Sequence, residues 1–196
     1  MIKLKFKDTD IIFRFTFFAV AAIFLLFRDN EIALMGIAAS LIHEFGHIFA
    51  MKIFGVRLRA VEFYLLGIKI NKSGTKILPI AKEFLILIAG ILLNIIISVI
   101  SLVSEKHIFQ TFGMVNAAIG LFNLFPIGVF DGGQIKELLI DRFSENAEHQ
   151  TVIKTSFKIA TFVLIAGICI YLLINKNITA AITLSLFALF DIFDER

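Results

Sequence analysis

Ser40-Leu41-Ile42-His43-Glu44-Phe45-Gly46-His47-Ile48-Phe49 reads His-Glu-x-x-His and lies inside an apolar segment running from about Ile32 to Met51. On an α-helix, His43 and His47 stand four residues apart and share one face, where two imidazoles can bind a single zinc ion. Glu44 falls on the same turn. A carboxylate there can take a proton from a zinc-bound water without being a ligand, the arrangement used in metal-assisted hydrolysis. The alternative is coincidence, and the setting argues against it, because ionisable groups inside a membrane segment are costly and seldom lack partners or a task.

The chain has 196 residues, 59% of them hydrophobic and 18% charged, with a mean hydropathy of +0.92. That balance excludes an ordinary soluble domain and indicates a polytopic membrane protein. Phe84–Ser104 and Ile108–Phe130 are free of charge and histidine, and each reaches the roughly 20 residues a membrane-spanning helix needs. Shorter apolar runs at Phe15–Phe27, Ile32–Ile42, Ile159–Asn175 and Ile178–Phe190 become spans if flanking Arg14 and Lys158 snorkel outward. The expected fold class is therefore an all-α polytopic membrane protein of about six transmembrane helices.

Net charge is +3, and its distribution speaks for topology rather than for nucleic acid. With six helices and a cytoplasmic N-terminus, sixteen Lys and Arg fall on the inside, and only Arg28, Lys106 and Lys176 on the outside. That bias places both termini in the cytoplasm of a multi-pass cell-membrane protein. The lone Cys169 supports no disulfide framework. The first apolar run follows a basic N-terminus but has no small-x-small cleavage site before Arg28, so it is expected to be a retained helix, about Ile11–Phe27.

In Met1–Asp10, Lys3, Lys5 and Lys7 alternate with Ile2, Leu4 and Phe6, as in a surface-lying strand or an interfacial segment. Gly55–Pro79 alternates apolar and charged residues and carries a turn signal at Asn71-Lys72-Ser73-Gly74, which predicts a small membrane-associated β-hairpin after helix two. Such a hairpin is either a connector or an edge that pairs with an extended peptide. Helix three, about Glu83 to Val103, contains Gly90, which permits close helix approach, and Asn94, either interhelical glue or a contact for substrate backbone. Helix four, about Ile108–Phe125, gives way to Pro126, Gly128, Asp131, Gly132 and Gly133. Irregular backbone at that depth has to be buried in protein or face a polar cavity. Helices two and four run in the same direction, so Asp131 and His47 reach comparable depth, and Asp131 is the best candidate for a third zinc ligand. Glu83 reads instead as a first-turn charge, His107 lies at the outer surface, and His149 reads as a solvated loop residue.

His43-Glu44-Phe45-Gly46-His47, Ala89-Gly90-x-x-x-Asn94 and Asn123-x-x-Pro126 followed by Asp131-Gly132-Gly133 resemble the sequence marks of the site-2 protease family of intramembrane zinc metalloproteases. The combination looks most like the stage IV sporulation protein FB branch. The resemblance implies that His43, His47 and Asp131 bind Zn2+ and that Glu44 activates water. It also implies that Asn94 and Asn123 position the substrate or its oxyanion. It implies hydrolysis of a membrane-associated protein precursor near the cytoplasmic face, in the sporulation case a pro-sigma factor, with membrane regulatory proteins as further partners. Ile91 stands where the family's Ala-Gly-Pro has proline. The expected organisation is one domain over 1–196 with a catalytic core at about 32–140 and no C-terminal nucleotide-binding domain of the CBS type. The rival readings are a transporter or ion channel using buried His, Glu and Asp as a proton or metal relay, and a catalytically silent scaffold. No internal repeat of the kind transporters carry is visible.

Overall fold

The alternation of charged and apolar residues at the N-terminus does form a strand. The fold is given by a computed structural model that describes residues 2–6, 9–13, 30–64, 67–72, 78–127, 130–144, 146–178, 182 and 185. Strand β1 (Ile2–Phe6) turns into β2 (Thr9–Phe13), an antiparallel pair braced by Lys3 Nζ–Asp10 Oδ2 at 2.9 Å. β3 (Leu58–Tyr64) and β4 (Gly67–Lys72) form the expected hairpin, also antiparallel. β2 pairs parallel with β3, which joins the two hairpins into one four-stranded sheet of order β1-β2-β3-β4.

This corrects two expectations. The chain is mostly helical but not all-α, and Ile11–Phe13, read as the start of helix one, belongs to β2. The β-branched pair Ile11 and Ile12 suits a pleated surface and finds Val61 and Glu62 as neighbours. The rest of the expected first helix, the expected sixth helix apart from Ile178, Ile182 and Ser185, the turn at Ser73-Gly74 and Gly128 lie outside the described residues.

The contacts divide the chain into two units, Met1–Leu121 and Phe122–Arg196. In the first, α1 (Asn30–Ile53) has Glu31 in its first turn and Lys52 in its last, the charge order that the helix dipole favours. It stops at Gly55, whose φ of +69° is a left-handed conformation that costs glycine nothing. Val56 N–H donates to the Met51 carbonyl at 2.8 Å and Gly55 N–H to that of Lys52 at 3.2 Å, the paired bonds of a Schellman cap. Pro79 then starts α2 (Ile80–Leu102), and α3 is His107–Phe122. α1 buries Ala39, His43, Gly46, His47 and Ala50 on one face, while Leu41, Phe45, Phe49 and Ile53 remain exposed on another, suited to lipid. α1 and α2 cross closely because Gly46 faces glycine: a Cβ on Gly46 would sit 2.6 Å from the Ala89 carbonyl oxygen and 2.8 Å from Gly90 Cα. Below that crossing Ala50, Met51 and Ile86 form a core with Phe54, Val56 and Leu58 around it.

In the second unit, the chain turns at Asn123–Ile127 before α4 (Asp131–Phe143) and α5 (Ala147–Ile174). Ile127, Phe130 and Ile165 form its core, with Phe122 and Phe125 packed against it. The helix read as continuing to Phe125 ends three residues earlier, because Gly132 N–H takes the Asn123 carbonyl at 2.7 Å and holds the turn closed. His149, read as a loop residue, is exposed within the first turns of α5, whose start is capped by the Asn146 side chain accepting from Glu148 N–H at 2.9 Å. Lys154 on α5 bridges Glu137 at 2.8 Å and Asp141 at 3.0 Å on α4.

Among the described residues there are five helices. Three are long and apolar enough to cross a membrane, Glu31–Ile53, Ile80–Leu102 and Glu148–Ile174, while His107–Phe122 is apolar but shorter. These spans make the chain a membrane protein.

Candidate metal centre

α1 delivers the His-Glu-x-x-His as the four-residue spacing requires. His43 and His47 are 4% and 6% exposed, and their rings meet edge to face with centroids 4.7 Å apart and an interplanar angle of 81°. His47 Nδ1 lies 2.7 Å from the Ile86 carbonyl oxygen. A carbonyl only accepts, so Nδ1 carries the proton and Nε2 of a neutral ring presents its lone pair. That Nε2 is turned toward Nε2 of His43, 3.1 Å away. Two imidazoles on one tetrahedral zinc, each at about 2.0–2.1 Å, have nitrogens about 3.3 Å apart. The pair is therefore already spaced for a shared ion, and the hydrogen bond to the Ile86 carbonyl is of the kind that fixes the orientation of a ligating imidazole.

The backbone of α2 closes the other side. A Cβ on Gly90 would overlap His47 Nε2 and come within 2.8 Å of both His47 Cε1 and the His43 carbonyl oxygen. The sequence suggested Gly90 only for helix approach, and the Ile86 carbonyl gave no signal, because every residue offers one. Glu44, on the same turn of α1, is half-buried.

Asp131 is 8% exposed and opens α4, with Gly132 and Gly133 also buried behind it. The first turn of a helix favours a carboxylate. His43, His47 and Asp131 are all buried, and each offers one ligand atom. Two imidazoles and a carboxylate form the donor set of several catalytic zinc sites, which leave a fourth position open. Asn94 is fully buried, pointing from α2 toward Gly120 of α3. Asn123 sits just past the end of α3 and is half-buried, its backbone engaged by Gly132. Glu83 is half-buried in the first turn of α2, and His107 is exposed at the start of α3. Neither was expected to ligate metal.

Residues 104–167 match the Peptidase family M50 model. The fold is that of a solved structure, the Site-2 Protease from Methanocaldococcus jannaschii, with a TM-score of 0.68 over 100% of this chain and 95% of that one at 20% identity. Part of the chain is thus similar to the M50 peptidases, and its fold is similar to that of a site-2 protease. It is 28% identical over 186 residues to the Stage IV sporulation protein FB of Bacillus subtilis, covering 90% of this chain and 62% of that protein. A zinc metalloprotease of M. jannaschii is 27% identical over 139 residues, covering 65% of this chain and 41% of the relative. The chain thus spans about three-fifths and two-fifths of the lengths of these two relatives.

Proposed function

We propose that this chain is a site-2-type intramembrane zinc metalloendopeptidase. The observation that carries the reading is the His43–His47 pair, buried in a membrane-length helix, with Nε2 atoms 3.1 Å apart and His47 held in the ligating tautomer by Ile86. His43, His47 and Asp131 are the residues that hold the ion. A zinc ion held there would supply the Lewis acidity that polarises a carbonyl and acidifies a water.

Glu44 accepts the proton of the attacking water and returns it to the leaving amine nitrogen, so one carboxylate serves as base and then acid. Asn94 and Asn123 are assigned the placing of the scissile carbonyl. A transmembrane substrate must unwind first, because a helix hides its carbonyls. β4, at an edge of the sheet among the described strands, offers unpaired backbone groups to such an extended segment. The protein is multi-pass with both termini cytoplasmic, its site in the cytoplasmic half of the bilayer. Its substrate is a membrane-associated precursor of the pro-sigma-factor type, and membrane regulatory proteins are its further partners.

The test uses the full chain in proteoliposomes with a panel of membrane-tethered precursors, one bearing a sigma-factor pro-sequence. The expected result is a cut near the cytoplasmic end of the tether that a zinc chelator abolishes and added zinc restores. Cleavage indifferent to chelation would overturn the metal-dependent reading.

A further inference from the structure

Inside the first unit, α2 and α3 meet along a seam of small and polar residues. Gly113 of α3 lies against Ser98 and Ser101 of α2, where a Cβ would be 3.0 Å from the Ser98 carbonyl oxygen and 3.1 Å from Ser101 Cβ. Seven residues on, Gly120 lies against Asn94, where a Cβ would be 3.2 Å from Asn94 Cβ. Asn116, four residues before Gly120 and three after Gly113, shares that face of α3. The helices run antiparallel, so Asn116 comes level with the stretch between Asn94 and Ser98.

Both asparagines are 0% exposed and Ser98 is 3% exposed. Asn116 Nδ2 donates to the Phe112 carbonyl at 2.9 Å. Its Oδ1, and both Nδ2 and Oδ1 of Asn94, have no hydrogen-bond partner among the described residues. Asn94 lies about 21 Å from the start of α2, at a rise of 1.5 Å per residue, and so at hydrocarbon depth. No bulk water reaches an amide there, and leaving three carboxamide atoms unmatched is a cost that native membrane helices avoid. The two side chains face one seam with complementary needs, one donor and two acceptors, and do not bond each other. A water molecule, with two donors and two acceptors, meets that set, and polar buried sites of this kind are where structural water is held.

We propose that Asn94, Asn116 and Ser98 enclose an ordered water molecule between α2 and α3, and that Asn116 acts through it as a positioning residue for the Asn94 carboxamide. The hydration site stands on its own geometry. Its consequence for catalysis rests on the role assigned to Asn94 above.

The direct test is a structure of the full chain in a lipid phase, at a resolution that shows ordered water. Density is expected within about 2.7–3.2 Å of Asn94 Nδ2 and Asn116 Oδ1; a dry seam, or a direct bond between the two carboxamides, overturns the site. A stability cycle gives a second readout that needs no activity. Asn116→Leu alone should unfold at lower temperature than Asn94→Leu/Asn116→Leu, because the single change strands a buried amide and the double change removes both. Simple additivity overturns the shared water. If the water is present, Asn116→Leu should also lower kcat about tenfold at unchanged zinc content and KM. An unchanged kcat would remove the positioning role and leave the water in place.

Discussion

Gly90→Ala adds one methyl group at the point where α2 meets the face of α1 that carries His43 and His47. The new carbon would lie 2.8 Å from both His47 Cε1 and the His43 carbonyl oxygen and would overlap His47 Nε2 itself. Carbon contacts relax only at about 3.5–4.0 Å, so the ring or the helix must yield by roughly 1 Å. A displacement of that size breaks the 2.7 Å bond to Ile86 and spoils the 3.1 Å spacing of the two nitrogens. Loss of such a supporting hydrogen bond typically costs about 10–100-fold in metal affinity. Overpacking adds about 1–3 kcal/mol of instability. The assay is zinc retention against a graded chelator, read by elemental analysis, beside thermal unfolding of the metal-free protein. Gly36→Ala is the control: Gly36 also lies in α1, with nothing within 4 Å of a new Cβ, and should bind zinc normally and gain about 0.5–1 kcal/mol in stability. If Gly90→Ala kept wild-type zinc affinity, the claim that α2 fixes the ligand geometry would be refuted.

Asp131→Asn should lower zinc affinity at least about tenfold while α4 stays helical, as seen by chelator titration and circular dichroism, since it keeps the shape and removes the charge that a cation needs. Gly55→Ala should cost about 1 kcal/mol in unfolding experiments, because its φ of +69° is strained for any residue with a Cβ. Lys154→Met removes the bridge to Glu137 and Asp141, whose side chains are 42% and 60% exposed. Its effect should stay within about 0.2–1 kcal/mol and shrink in high salt.

That His43 and His47 meet was legible because four-residue spacing is a property of the helix alone. α2 was legible from unbroken hydropathy. The union of the two hairpins was not: β2 and β3 lie more than forty residues apart, and a parallel pairing over that distance leaves no local mark. Asp131-Gly132-Gly133 was read as irregular backbone, whereas these residues form the first turn of α4. Glycine is costly inside a helix but tolerated here, where a Cβ on Gly132 would collide with the carbonyl of Leu124. The polar stretch before α5 hid a helix start for a related reason, since exposed turns of a long helix look like a loop when only hydropathy is read. The candidate ligands His43, His47 and Asp131 could be proposed from the chain, but what holds His47 is a backbone oxygen, and only the fold reveals it.

Glu44 is assigned the proton transfer in a zinc-dependent hydrolysis. The most direct measurement compares wild type with Glu44→Gln in the same membranes, reading zinc content and cleavage of a susceptible precursor together. Equal zinc and a fall in cleavage of at least about a hundredfold are expected in the variant. Equal zinc with wild-type cleavage would contradict that assignment.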